Sequence, residues 1–173
     1  MLDLAHLVIG ITALTVVTVA ALQDVRERLI ANRLVVLLLG AGALRHGAVA
    51  TSFTDGLMLV GSGFALAAAV FVVGFVIWRL GSLGGGDVKL LVAAAFFVGP
   101  DGALVLFAGT ALVGGALALA YILVPKLLPI LVVRFAGPAA FGAGDRPRSL
   151  PYGVAIAAGF ACTVVPSLPI LIG

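Results

Sequence analysis

The chain has 173 residues, 63% of them hydrophobic and 10% charged, with a mean hydropathy of +1.32 and a formal net charge of +3. So apolar a composition excludes a conventional soluble domain and predicts a polytopic membrane protein, with a length that allows one domain, residues 1–173. The positive balance is no argument for a nucleic-acid partner, because in a membrane protein lysines and arginines mark loops. The single cysteine, Cys162, can form neither a disulfide framework nor a paired-cysteine metal site, and it reads as a small buried hydrophobe.

A helix needs about 20 apolar residues to cross a bilayer. The first candidate is Leu4 to Leu22; it lacks a basic n-region, and Arg26 and Arg28 follow the apolar run, so it reads as a retained membrane helix and not a signal peptide. Next comes Leu34 to about Ser52, interrupted by Arg45 and His46, then the uninterrupted Leu57 to Trp78. Val88 to Gly99 is short, Gly102 to Val124 is long, and Ser149 to Gly173 closes the chain without charge. The expected fold is therefore all-α, a helix bundle of about six transmembrane segments in a lipid bilayer.

An even count places both termini on one side. The first, third and fifth connections then hold Arg26, Arg28, Arg33, Arg79, Lys89, Lys126, Arg134, Arg146 and Arg148, nine of the ten basic residues. The positive-inside rule makes that side cytoplasmic and puts both termini outside. Arg45, the exception, would snorkel to the outer interface. Asp3, Asp55 and Asp101 fall in outer ends or turns, whereas Asp24, Glu27, Asp87 and Asp145 fall on the cytoplasmic side.

Depth singles out one acid. If Pro100 marks the outer boundary, a rise of about 1.5 Å per residue puts Asp87 about 20 Å below it, roughly 10 Å short of the cytoplasmic surface. An ionisable group there must face protein or water. Three glycines, Gly84 to Gly86, precede it, and irregular backbone at such depth survives only around a cavity, so a partly unwound notch open to the cytosol is expected. The bland alternative for Asp87 is a helix N-cap, and for Asp24 a loop acid paired with a nearby arginine. Two carboxyls held at one cavity have a chemical use: one keeps a proton while the other, charged, activates a water. Such chemistry needs no metal and no cofactor.

Other candidates are weaker. His6 and His46 are far apart and read as interface or packing residues; no serine stands in a nucleophile elbow, and there is no P-loop or dinucleotide fingerprint. The sequence GAGD, residues 142–145, repeats the Gly-x-Gly-Asp spacing, but RPRSLP follows it, so Asp145 reads as a solvated turn residue.

GGGDVKL, residues 84–90, resembles the G-x-G-D-x-K-L motif of the type IV prepilin peptidases, aspartic proteases of the cytoplasmic membrane. DVRERLIAN, Asp24 to Asn32, is similar to that family's first aspartate box, with Ala31 where the family usually has proline, and LPYGVAIAAG, residues 150–159, is similar to the Pro-Tyr-Gly segment opening the last helix of its short members. The resemblance implies a catalytic dyad of Asp24 and Asp87, with Gly84 and Gly86 shaping the substrate loop, Lys89 tuning the field near Asp87 or anchoring its helix, and Asn32 fixing the first box. It also implies a prepilin or pseudopilin precursor as substrate, cut after a leader glycine. The Cys-x-x-Cys pairs of the larger methylating members have no counterpart here, so peptidase activity without N-methylation is expected.

Two other functions fit parts of the pattern. In a small transporter, Asp24 and Asp87 would bind protons or cations, but acids continuing through the outer half of the spans would then be expected, and the outer acids lie near turns. In a non-catalytic assembly factor the aspartate boxes would be coincidental.

Overall fold

A computed structural model describes residues 2–27, 29–136 and 152–168. Asp145, the second Gly-x-Gly-Asp match, lies outside these, as do residues 137–149 of the basic, proline-containing segment. The described residues form five helices and no strand: α1 (Leu2–Glu27), α2 (Asn32–Val49), α3 (Phe53–Arg79), α4 (Gly85–Ala136) and α5 (Tyr152–Val164), the last followed by a single 3-10 turn, Val165–Ser167. Three helical stretches are long and apolar enough to cross a membrane: Leu4–Glu27, Phe53–Arg79 and Gly85–Ala120. The eighteen-residue α2, which carries Asn32, Arg33, Arg45 and His46, is not among them, and Tyr152–Ser167 is shorter.

Local chemistry explains where α3 begins and ends. Ser52 caps its start: the Ser52 hydroxyl accepts from the Asp55 amide at 3.1 Å while Asp55 Oδ2 accepts from the Thr51 amide at 2.9 Å, a reciprocal arrangement of capping-box type. Asp55 is thus the turn residue its position suggested. At the other end Gly81 adopts φ 75°. The Gly81 amide then donates to the Trp78 carbonyl at 2.9 Å and the Ser82 amide to the Ile77 carbonyl at 3.2 Å, the paired bonds of a Schellman stop.

The long α4 is two arms meeting at Gly99, whose φ of 69° and ψ of −176° are not helical. Pro100 has no N–H for the Phe96 carbonyl, and the break carries the chain away from the Phe97 carbonyl as well. Neighbouring α2 serves both. His46 Nε2 donates to Phe96 O at 2.8 Å and Arg45 Nη1 donates to Phe97 O at 2.9 Å, with the guanidinium 5.4 Å from the centre of the Phe97 ring. Since a carbonyl only accepts, His46 must hold its proton on Nε2. Irregular backbone among apolar helices needs such partners. Arg45 therefore turns inward to α4 instead of snorkelling outward, and His46, buried, is a packing histidine with a defined task.

The first arm of α4, residues 85–98, is the centre of the bundle. Val88, Leu90 and the run from Ala93 to Val98 are all buried, the all-round apolar pattern of a helix surrounded by others. α5 is held hard against α4: a Cβ on Gly109 would fall 2.8 Å from Gly159 Cα, and the Phe97 and Phe160 rings pack with centroids 5.2 Å apart. Small residues at such a crossing let backbones approach where no hydrophobic drive joins helices. The exterior is apolar, with Phe53, Met58, Phe64, Leu104 and Leu112 all exposed, as expected of helices solvated by lipid. Cys162 is also exposed, correcting its expected burial, although it is on the side of α5 that approaches α4: a Cβ on Gly109 would lie 3.8 Å from Cys162 Cβ.

Candidate functional site

At the end of the bundle where α1 finishes and α4 starts lies an open cavity of about 620 Å³. Gln23, Asp24 and Glu27 from the last turns of α1, the connection Leu29 to Ala31, the start of α2, and Gly84 to Asp87 with Lys89 from α4 line it. Every residue proposed from sequence for this site, namely Asp24, Asp87, Gly84, Gly86, Lys89 and Asn32, is part of that lining. Gln23, Glu27 and Arg33 join them without having been singled out.

Asp24 and Asp87 are both buried, at 7% and 6% exposure, whereas Glu27 and Asp101 are exposed and Asp55 is half-buried. Burying a carboxyl is costly unless it is hydrogen-bonded, and each aspartate occupies a helix end that offers polar backbone. Asp87 is the third residue of α4, in the turn whose amides have no intrahelical acceptors, where the helix dipole favours negative charge. It is thus within the first turn of the helix and not its N-cap; Gly84 holds the position before the helix, its carbonyl accepting from the Val88 amide at 3.1 Å. Asp24 lies near the end of α1, and its Oδ2 accepts from the Gly153 amide in the first turn of α5 at 3.0 Å.

The triple glycine does not make the unwound notch expected. Gly85 and Gly86 are helical, and none of the three has positive φ. What glycine supplies is room: a Cβ on Gly84 would lie 2.7 Å from Asp87 Oδ2, and one on Gly86 would lie 3.3 Å from Ile30 Cβ in the connection following Asp24. The motif thus brings the α1–α2 connection against the first turn of α4.

Lys89 Nζ donates to Asn32 Oδ1 at 3.2 Å, joining α4 to the first residue of α2 across the cavity wall. Ala31, where proline had been the pattern, has φ −66° and ψ 130°, dihedrals that proline adopts without strain. The departure from the motif leaves the entry to α2 in the same conformation. Among the described residues no group of three or more His, Cys, Asp and Glu side chains is arranged to hold a metal ion.

Gly153 is the residue that residue-type reasoning missed. The Pro-Tyr-Gly segment was visible, but nothing local to it indicates that its glycine amide meets an aspartate 129 positions earlier.

An all-helical bundle with an apolar exterior and two buried carboxyls on one open cavity defines an integral membrane protein with an acidic site at one end. Its residues 11–119 match the model of the type IV leader peptidase family, and the chain belongs to that family. Over 74 residues it is 34% identical to the prepilin peptidase EppA of Methanothermobacter thermautotrophicus, an alignment covering 43% of this chain and 19% of that relative. The chain therefore corresponds to only a minor part of the relative's length. No solved structure matches it.

Proposed function

We propose that the protein is a membrane-embedded aspartic endopeptidase that removes the basic leader from type IV prepilin-like precursors. The observation that carries this reading is the arrival of Asp24 and Asp87, the two acids buried among the described residues, at one cavity that is open to solvent and lies at an end of the bundle. The charged carboxylate takes a proton from water as the water oxygen attacks the scissile carbonyl carbon. The protonated partner gives its proton to the carbonyl oxygen. As the gem-diol intermediate collapses, the C–N bond breaks, the first carboxyl gives its proton to the leaving amine, and the second carboxylate takes a hydroxyl proton as the C=O bond re-forms, returning the pair to one proton.

The break at Gly99 divides α4 into two arms, so that among the described residues there are six helical segments with α1, α2, α3 and α5, which supports a reading with an even number of spans. In that arrangement both termini are outside and the cavity, with Arg33 and Lys89 in its lining, faces the cytoplasm. A precursor with a basic leader and an apolar helix presents its junction at that boundary. These 173 residues hold no Cys-x-x-Cys pair, and the activity proposed for them is cleavage alone.

The test is cleavage, in detergent or lipid, of a synthetic precursor with a basic leader, a glycine at the junction and an apolar segment. Asp24→Asn and Asp87→Asn are each expected to abolish processing while remaining folded, and Asp145→Asn to process normally. Wild-type rates in both dyad variants would sink the assignment.

A further inference from the structure

The two aspartates stand on helices that scarcely touch. α1 packs on α5 and α2, while α4 packs on α5, α3 and α2. The distance between the two carboxyls is therefore inherited through intermediaries, and α5 makes the larger contact with both helices. Near its middle α5 is locked to α4 by the Gly109–Gly159 crossing and the Phe97–Phe160 pair. At its start it reaches Asp24.

The contact at that start is specific. The Gly153 amide is one of the first-turn donors that a helix leaves without an internal acceptor, and Asp24 Oδ2 takes it at 3.0 Å. A Cβ on Gly153 would lie 3.0 Å from both Asp24 Cβ and Asp24 Oδ2, so the carboxyl occupies the space that any other residue's side chain would need. Asp87 has the matching neighbour in Gly84, whose Cβ would meet its Oδ2 at 2.7 Å. Each acid lies against a glycine from a helix start, but only for Asp24 does that glycine belong to a different helix.

We propose that Gly153 is a positioning residue for cleavage: its amide and its missing side chain fix the plane of the Asp24 carboxyl and set its place relative to Asp87. The proposal rests on the reading of those two acids as the catalytic pair. The torsion that orients an aspartate carboxyl is intrinsically broad, so an external donor is needed to hold it in one orientation. With Oδ2 held by the amide, the other oxygen keeps a constant direction for the water. α5 thereby transmits the placement of α4 to α1, and the Pro-Tyr-Gly segment acquires a role at the site and not only in the last helix.

The test measures kcat, KM and thermal unfolding with the synthetic precursor for wild type, Asp24→Asn, Gly153→Ala and Gly114→Ala. Gly114 faces the same end of α5, but its added Cβ would lie 3.5 Å from Ala155 Cβ and 3.6 Å from Tyr152 Cε1, ordinary contacts that leave Asp24 alone. Because misplacing a reacting group by about 1 Å costs on the order of 100-fold, Gly153→Ala should lower kcat by at least about tenfold with KM within about twofold, and Gly114→Ala should hold both within about twofold. Wild-type kcat in Gly153→Ala, or equal losses in both glycine variants, would overturn the proposal. If Asp24→Asn cleaves normally, the dyad reading itself falls; if it is inactive while Gly153→Ala turns over normally, only the positioning role falls. Should Gly153→Ala not fold, hydrogen exchange at the Gly153 amide, compared between wild type and Asp24→Ala, reads the contact directly: protection that falls at least about tenfold in Asp24→Ala supports it, and equal protection in the two overturns it.

Discussion

His46 donates its Nε2–H across 2.8 Å to the carbonyl of Phe96, which an unbroken helix would pair with the amide of residue 100, here a proline. A side chain on one helix thus completes the backbone bonding of another, and α4 can break at Gly99 inside an apolar bundle. His46→Ala leaves that carbonyl buried without a donor and is expected to cost about 1–3 kcal/mol of stability. Thermal unfolding in detergent checks this, and His46→Gln, which keeps an N–H donor, should recover part of the loss. An unfolding temperature unchanged in His46→Ala would show that the bond contributes nothing.

The neighbouring glycines of the GGGD motif should differ in their tolerance of a methyl group. Gly84→Ala would place Cβ 2.7 Å from Asp87 Oδ2, whereas Gly85→Ala would place it 3.4 Å from Trp78 Nε1, at the edge of ordinary contact. Displacement of the acid should reduce the cleavage rate at least about tenfold in the first variant, against a few-fold change in the second, since catalytic geometry tolerates little error. Equal rates in the two variants would contradict the packing role assigned to Gly84.

Lys89 and Asn32 should act as one unit. Their 3.2 Å hydrogen bond is exposed, so its effect on stability should be small, below about 1 kcal/mol. Its consequence is positional, because Lys89 is one residue beyond Val88 in the helix that starts with Asp87's turn. Lys89→Met and Asn32→Ala are each expected to slow cleavage a few-fold, and the double variant to be no slower than the worse single one. Additive losses in this double-mutant cycle would show two independent roles.

Ala31→Pro should stabilise the protein. Ala31 already has φ −66° and ψ 130°, so proline would restrict the unfolded chain with little strain in the folded one, a gain of about 0.4–1 kcal/mol. Denaturant or thermal unfolding of the variant reads it; a loss of stability would mean that the Ala31 amide or its surroundings are needed as they are.

Chelation should leave activity intact. The proposed water activation uses only carboxyl groups, so treatment with a strong chelator followed by buffer exchange is expected to leave the cleavage rate within about twofold of untreated protein. A loss restored by adding back a divalent cation would require a different mechanism.

Much of the molecule was legible before its fold. The helical class and the apolar exterior follow from composition, and the resemblance of the two aspartate boxes grouped Asp24 with Asp87, which the fold brings to one cavity. The placement of Gly84 and Gly86 beside the acids followed as well, although the reason changed from an unwound backbone to a close approach. Arg45 was misjudged because sequence shows a charge at the end of an apolar run, and only packing shows that the broken α4 leaves the Phe97 carbonyl for it to serve.

Sequence by itself determined which residues carry charge, which segments are too apolar for water, and where glycine and proline interrupt them. Tertiary structure alone decided that α1 and α4 are bridged by α5, that Lys89 meets Asn32, and that the Gly153 amide holds Asp24. The physical reason is range. Helix formation, capping and burial tendency act over a few residues and leave a periodic or compositional trace, whereas a backbone amide donating to a carboxyl 129 residues away leaves none until packing brings the two together.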